Sequence, residues 1–158
     1  MKWIRLTAPL LSVFLLQFYL SEFLSIRTIR PDFLIIFIIY FSIKYGRFYG
    51  VLAGFTLGLL IDLTPVASYF GLSALTYSFT GYLAGYLKGK YSHWNPLYFH
   101  LAWIGILAFH FFLFSYVRYQ FLFETNGPLF WKKWSLTTSY TLGFFLAAQF
   151  IFPLKDVE

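Results

Sequence analysis

The chain contains no cysteine, which excludes disulfides, thiolate metal sites and cysteine nucleophiles. Charge is nearly as scarce: 11% of the 158 residues carry it and only six of those are acidic, where a soluble domain has about 25% charged residues. No pair of these carboxylates lies at a catalytic spacing. The three histidines, His93, His100 and His110, are spaced too widely for a metal site. His100 and His110 fall on one expected helix about 15 Å apart along its axis, so each reads as a polar contact within the fold. No serine sits in a nucleophile elbow and no glycine-rich loop follows a strand, so nothing points to an enzyme or to a cofactor. The formal charge of +6 comes from scattered lysines and arginines. That pattern suits loop orientation and anionic head groups rather than nucleic acid.

What fills the chain instead is apolar: 59% of its residues are hydrophobic and 25% aromatic. A transmembrane helix takes about 20 apolar residues, and the polar punctuation leaves room for six in a single membrane domain. A β-barrel would alternate apolar and polar residues, whereas the stretch from Phe33 to Ile43 is apolar at nearly every position. The expected fold is therefore all-α and integral to the membrane, with helices at about 6–26, 33–43, 47–63, 69–87, 97–119 and 134–152. The first run follows Lys2 and Arg5 but extends past the length of a signal-peptide core, so it reads as an uncleaved helix. Pro31 disfavours helix before it and Asp32 can cap the second helix, whose eleven or so apolar residues are short for a bilayer and call for protection by protein. Pro65 breaks the chain before the fourth helix, Pro96 suits the first turn of the fifth, and Asn126-Gly127-Pro128 reads as a turn before the sixth.

A cytoplasmic N-terminus places Lys2, Arg5, Lys44, Arg47, Lys88, Lys90 and Lys155 inside, and Arg27, Arg30, Arg118, Lys132 and Lys133 outside. The bias toward the inside, though small, agrees with both termini being cytoplasmic. Trp3 and Trp94 then lie near the inner interface, Trp131 and Trp134 near the outer one.

The most specific pattern is Gly46, Gly50, Gly54 and Gly58, recurring every four residues along the third helix. Gly81, Gly85 and Gly89 repeat it on the fourth, and Ser139, Gly143 and Ala147 offer a softer version on the last. Such stripes let helix backbones approach closely. They serve either packing within the subunit or the docking of a partner's transmembrane helix. Asp62 is the candidate functional acid, because ionisable groups in membrane segments are expensive. At a helix end it can equally cap the following turn or pair with an outer arginine. On the capping reading Asp62→Asn is tolerated, and on the charge reading it is harmful. Asp32 and Glu22 fall on the same outer side, near Arg27 and Arg30, so a mixed-charge cluster around Asp62 is expected there.

In order, the chain reads Arg30-Pro31-Asp32-Phe33-Leu34, Tyr45-Gly46-Arg47, Gly50-x3-Gly54-x3-Gly58-Leu59-Leu60-Ile61-Asp62, Gly71-Leu72 and Gly81-Tyr82-Leu83-Ala84-Gly85. This series resembles the MreD family, over about a third of the chain at motif level. The high Phe and Tyr content and the outer halves of the last two helices depart from its pattern. The resemblance implies a non-enzymatic scaffold of the bacterial elongation complex in the inner membrane. It implies binding to MreC and indirect links to MreB, to the SEDS glycosyltransferase and to the penicillin-binding transpeptidase, with self-association also open. It also implies a fold like the six-helix S components of energy-coupling-factor transporters, with Pro31, Asp32 and Asp62 near an outer pocket. The competing reading is a true S component for uptake of a vitamin or metal. Only Ala8 and Ser12 fit the docking stripe expected of one on the first helix.

Overall fold

The computed structural model describes residues 2–26, 29–64 and 69–154, with side chains described from residue 9 onward. Several sequence expectations lie outside that range: the Pro65 break, Arg27, the tail from Lys155, and the side chains of Lys2, Trp3 and Arg5. Among the described residues there are seven helices and no strand beyond one isolated bridge between Ile26 and Ile29. The helices are α1 (Lys2–Phe23), α2 (Phe33–Tyr45), α3 (Arg47–Asp62), α4 (Leu72–Gly85), α5 (Pro96–Arg118), α6 (Gln120–Thr125) and α7 (Gly127–Ile151). Of these, α5 is long and apolar enough to cross a membrane, while 9–23 and 33–45 are shorter apolar stretches.

Helix α2 is the centre of the molecule. At 13 residues it rises only about 20 Å, and Leu34, Ile35, Ile38, Ile39 and Ile43 are all fully buried. It is apolar around its whole circumference because neighbours cover it on every side: α1, α3, α4 and α7 all contact it. Its end is set by Gly46, whose φ of +95° lies in the left-handed region, so the chain turns into α3 through a single residue. Gly46 thus belongs to a turn and not to the packing stripe of α3. Gly89 likewise falls beyond α4, at φ +68°, where an added Cβ would meet open space.

The start of α2 is held from α1. Gln17 donates its amide to the Pro31 carbonyl (3.1 Å) and accepts from the Phe33 N–H (2.7 Å). One side chain thereby satisfies two backbone groups flanking Asp32 that no helix can reach. On the opposite flank Trp103 of α5 stacks on Phe145 of α7 at 4.2 Å, and Tyr40 of α2 stacks on the same Phe145. These rings join α2, α5 and α7 in the core.

Several boundaries differ from the sequence expectation: α1 spans Lys2–Phe23 where 6–26 is expected, and α4 ends at Gly85 where 87 is expected. Helix α4 begins at Leu72 and not at 69, because Gly71 adopts φ +90° and breaks any helix running through it. Helix α7 begins at Gly127, seven residues before the expected start, with Pro128 in its first turn and the Asn126 side chain accepting from the Leu129 N–H (3.3 Å). Asn-Gly-Pro makes a turn or an N-cap with equal ease, since proline in the first turn forfeits no helical hydrogen bond. The stretch read as loop before it contains the additional helix α6, which buries no residue.

Candidate functional site

Helices α3 and α4 lie backbone against backbone. A Cβ placed on Gly54 would fall on the carbonyl of Tyr77, one on Gly58 on the backbone of Ala74, and one on Gly85 on the backbone of Arg47. Gly50 and Gly81 face each other, so that a methyl on either would strike the other's carbonyl oxygen. Contact this close gains dispersion along the whole length and admits weak Cα–H bonds, which matters where lipid offers no hydrophobic drive. Thr76, Ser78 and Thr80 on α4 return their hydroxyls to carbonyls four residues back. By contrast a Cβ placed on Gly143 would meet nothing, and Ser139, Gly143 and Ala147 are all exposed.

The two carboxylates sit at helix starts. Asp32 precedes α2, and its Oδ1 accepts from the N–H groups of Leu34 (3.0 Å) and Ile35 (3.1 Å). Its Oδ2 accepts from the Tyr77 hydroxyl of α4 at 2.5 Å. Asp62 ends α3 yet serves α4: Oδ2 accepts from Gly71 N (3.0 Å) and Ala74 N (3.1 Å), and Oδ1 from Ser73 N (3.2 Å). Gly71 occupies the cap position and has no side chain to offer, so the preceding helix supplies the cap. Both acids therefore balance the partial positive charge at a helix N-terminus. Tyr77 thus ties the cap of α2 to α4, and its ring stacks on His110 of α5 at 5.0 Å.

Tyr77→Phe is expected to keep that stack and both helix caps while removing one hydrogen bond to a charged acceptor. Thermal melting in detergent is expected to show a destabilisation of roughly 1.5–3 kcal/mol. An unchanged melting curve would show that the hydroxyl does not hold α2 to α4.

Next to the caps the bundle opens into two adjoining cavities of about 210 and about 500 Å³, which share Gln17, Arg30, Phe114 and Arg118. The smaller has Asp62 and Tyr77 in its wall, with Glu22 also lining it. The larger is bordered by Pro31, Asp32, Ser115, Tyr119, Lys133 and Thr137. The structure thus brings Pro31, Asp32 and Asp62 to one end of the bundle, with Arg30 and Arg118. Gly50, Gly54, Gly58, Gly81 and Gly85 lie along the α3–α4 seam, away from these walls. Asp62 shares a cavity with Glu22 and the arginines, but its own bonds go to backbone.

The histidines have separate partners. His110 is buried with Nδ1 2.8 Å from the Thr80 hydroxyl, joining α5 to α4. His100 Nδ1 accepts from the Trp103 indole at 3.0 Å. Among the described residues no group of three or more metal-ligating side chains is gathered. Gln17 and Tyr77, which organise the site, are not evident from the sequence, because a lone glutamine or tyrosine in an apolar helix carries no local signal. Their partners lie 14 to 45 residues away.

Among curated proteins and among solved structures nothing matches this chain. The family model of the rod shape-determining protein MreD matches residues 1–155, and the chain belongs to that family of membrane proteins.

Proposed function

We propose that the protein is a non-enzymatic scaffold of the rod-elongation complex in the bacterial inner membrane. It binds MreC, and through that subunit it couples MreB filaments to the SEDS glycosyltransferase and the penicillin-binding transpeptidase that build lateral peptidoglycan. The observation that carries this reading is the family match, which extends over nearly the whole chain. The hydrogen bonds of Asp32 and Asp62 fit an architectural role: each caps a helix, and Asp32 also accepts from the Tyr77 hydroxyl.

In this proposal α1 to α5 and α7 cross the membrane as one domain, in an arrangement like that of S components, with α6 on the outer surface and both termini inside. The placement of cations supports it. Lys88 donates to the Tyr45 carbonyl and Arg47 covers the Tyr86 ring, which groups the residues expected inside. Arg30, Arg118 and Lys133, expected outside, line one cavity. The glycine seam is already filled by the protein's own backbone, so the helix of MreC is assigned to a different face.

Affinity purification of the tagged protein from native membranes solubilised in detergent, followed by mass spectrometry, tests this reading. MreC and cell-wall synthases are expected to accompany it. Recovery of a transporter ATPase pair in their place would overturn the scaffold and make the cavities an uptake site.

A further inference from the structure

We propose that the larger cavity binds the phosphate of an anionic lipid, held by Arg30, Arg118 and Lys133. Three cations line this one space, and the contacts of two of them are with rings: Arg118 lies over Phe114 and Tyr119, each at 5.7 Å, and Lys133 over Tyr119 at 4.6 Å. Among the described residues no carboxylate stands within ion-pairing distance of any of the three. The only acid in that wall is Asp32, and both its oxygens are occupied, one by two backbone N–H groups and the other by Tyr77. The wall of the larger cavity thus carries three cations against one acid at the edge of an apolar bundle, and an anion there supplies a counter-charge that no carboxylate gives within ion-pairing distance.

Size and surroundings narrow the class. A volume of about 500 Å³ falls within the roughly 300–1,000 Å³ of sites for organic ligands, more room than a bare oxyanion needs. The adjoining cavity adds the exposed Phe18 and Tyr69, with Ile61 and Leu72, to the shared Phe114; of its two acids, Asp62 is bonded to the backbone at the start of α4 and Glu22 is exposed. A phosphate at the arginines thus has an apolar path beside it for an acyl chain. A water-soluble phosphate ester shares the head-group chemistry but makes no use of that path.

The test uses the full-length protein in detergent and does not depend on any partner, so its failure is distinct from failure of the scaffold reading. Melting is followed while phosphatidylglycerol, phosphatidylcholine or soluble glycerol phosphate is added. Phosphatidylglycerol is expected to raise the melting temperature in a saturable way, and Arg118→Gln combined with Lys133→Gln to weaken its binding at least about tenfold. Arg30→Gln, at an exposed position, is expected to weaken it as well without disturbing the fold. Lys132→Gln makes the same charge change outside the cavity and is expected to have no effect. Glycerol phosphate matching the lipid would keep the phosphate site and assign its ligand to water. Equal binding by the double variant, or equal stabilisation by phosphatidylcholine, would overturn the proposal.

Discussion

Gly54→Leu is expected to cost the protein its native helix packing and the cell its rod shape. The space that a side chain at position 54 needs is taken by the carbonyl of Tyr77 and the amide of Ser78, both main-chain groups of α4. A flexible side chain could swing away, but a helix backbone can only translate. Moving α4 outward by the width of a leucine breaks the facing contacts at Gly50, Gly58 and Gly81 together. It also pulls Tyr77 from Asp32 and Thr80 from His110. Overpacking a core typically costs about 1–3 kcal/mol, and the loss here belongs at or beyond the upper end because one insertion undoes a whole seam. By the relation for soluble proteins of this length, about 2–4 °C per kcal/mol, melting falls by roughly 6–12 °C or more, or the variant fails to accumulate. Gly143→Leu is the control, since that glycine has open space around it. Complementation of cell shape and melting in detergent are the readouts. Normal melting and normal rods with Gly54→Leu would mean that α3 and α4 do not meet along this stripe.

The parts of this structure that were legible in the sequence are those decided within a few residues. Pro31-Asp32 marks the start of α2 because proline forbids helix before it and the carboxylate reaches N–H groups two and three positions on. Pro96 marks α5 differently, by sitting in its first turn, where no N–H is needed, behind an Asn95 cap that accepts from the Leu97 N–H. The four-residue glycine spacing is visible in the chain, but which helix it meets is not, and Gly46 and Gly89 keep the spacing while belonging to turns. At Asn126-Gly127-Pro128 the local signal is ambiguous, and the helix that follows was placed too late. Least legible is the long-range polar wiring. Gln17 bracketing residues 31 and 33, and Asp62 reaching past the loop to α4, depend on the fold having already formed. Arg118 and Lys133 could be assigned to one membrane face from sequence, but their convergence with Arg30 on one cavity could not.

Asp62 is where the structure most alters the expected result of a substitution. From the sequence, capping alone would make Asp62→Asn harmless. The geometry makes it costly even as a cap. Three N–H groups point at two oxygens, two on Oδ2 and one on Oδ1. Asparagine offers a single carbonyl oxygen. Its better orientation keeps Gly71 and Ala74 satisfied and turns an NH2 toward the N–H of Ser73, donor facing donor, at a buried position. One unpaired buried N–H costs about 1–3 kcal/mol, and losing the negative charge at the start of α4 adds a further 0.3–1 kcal/mol or so. Asp62→Ala strands all three groups and is expected to lose more than either, while Glu22→Gln, an exposed acid on the same cavity, should melt as the wild type does. Because α4 carries Tyr77 and half of the glycine seam, fraying its first turn propagates to the hold on α2. Rod shape is therefore expected to fail in the order Ala before Asn, in step with melting temperature. An Asp62→Asn protein that melts normally yet leaves cells round would separate the two, and would assign the charge of Asp62 to a partner or ligand instead of to the N-terminus of α4.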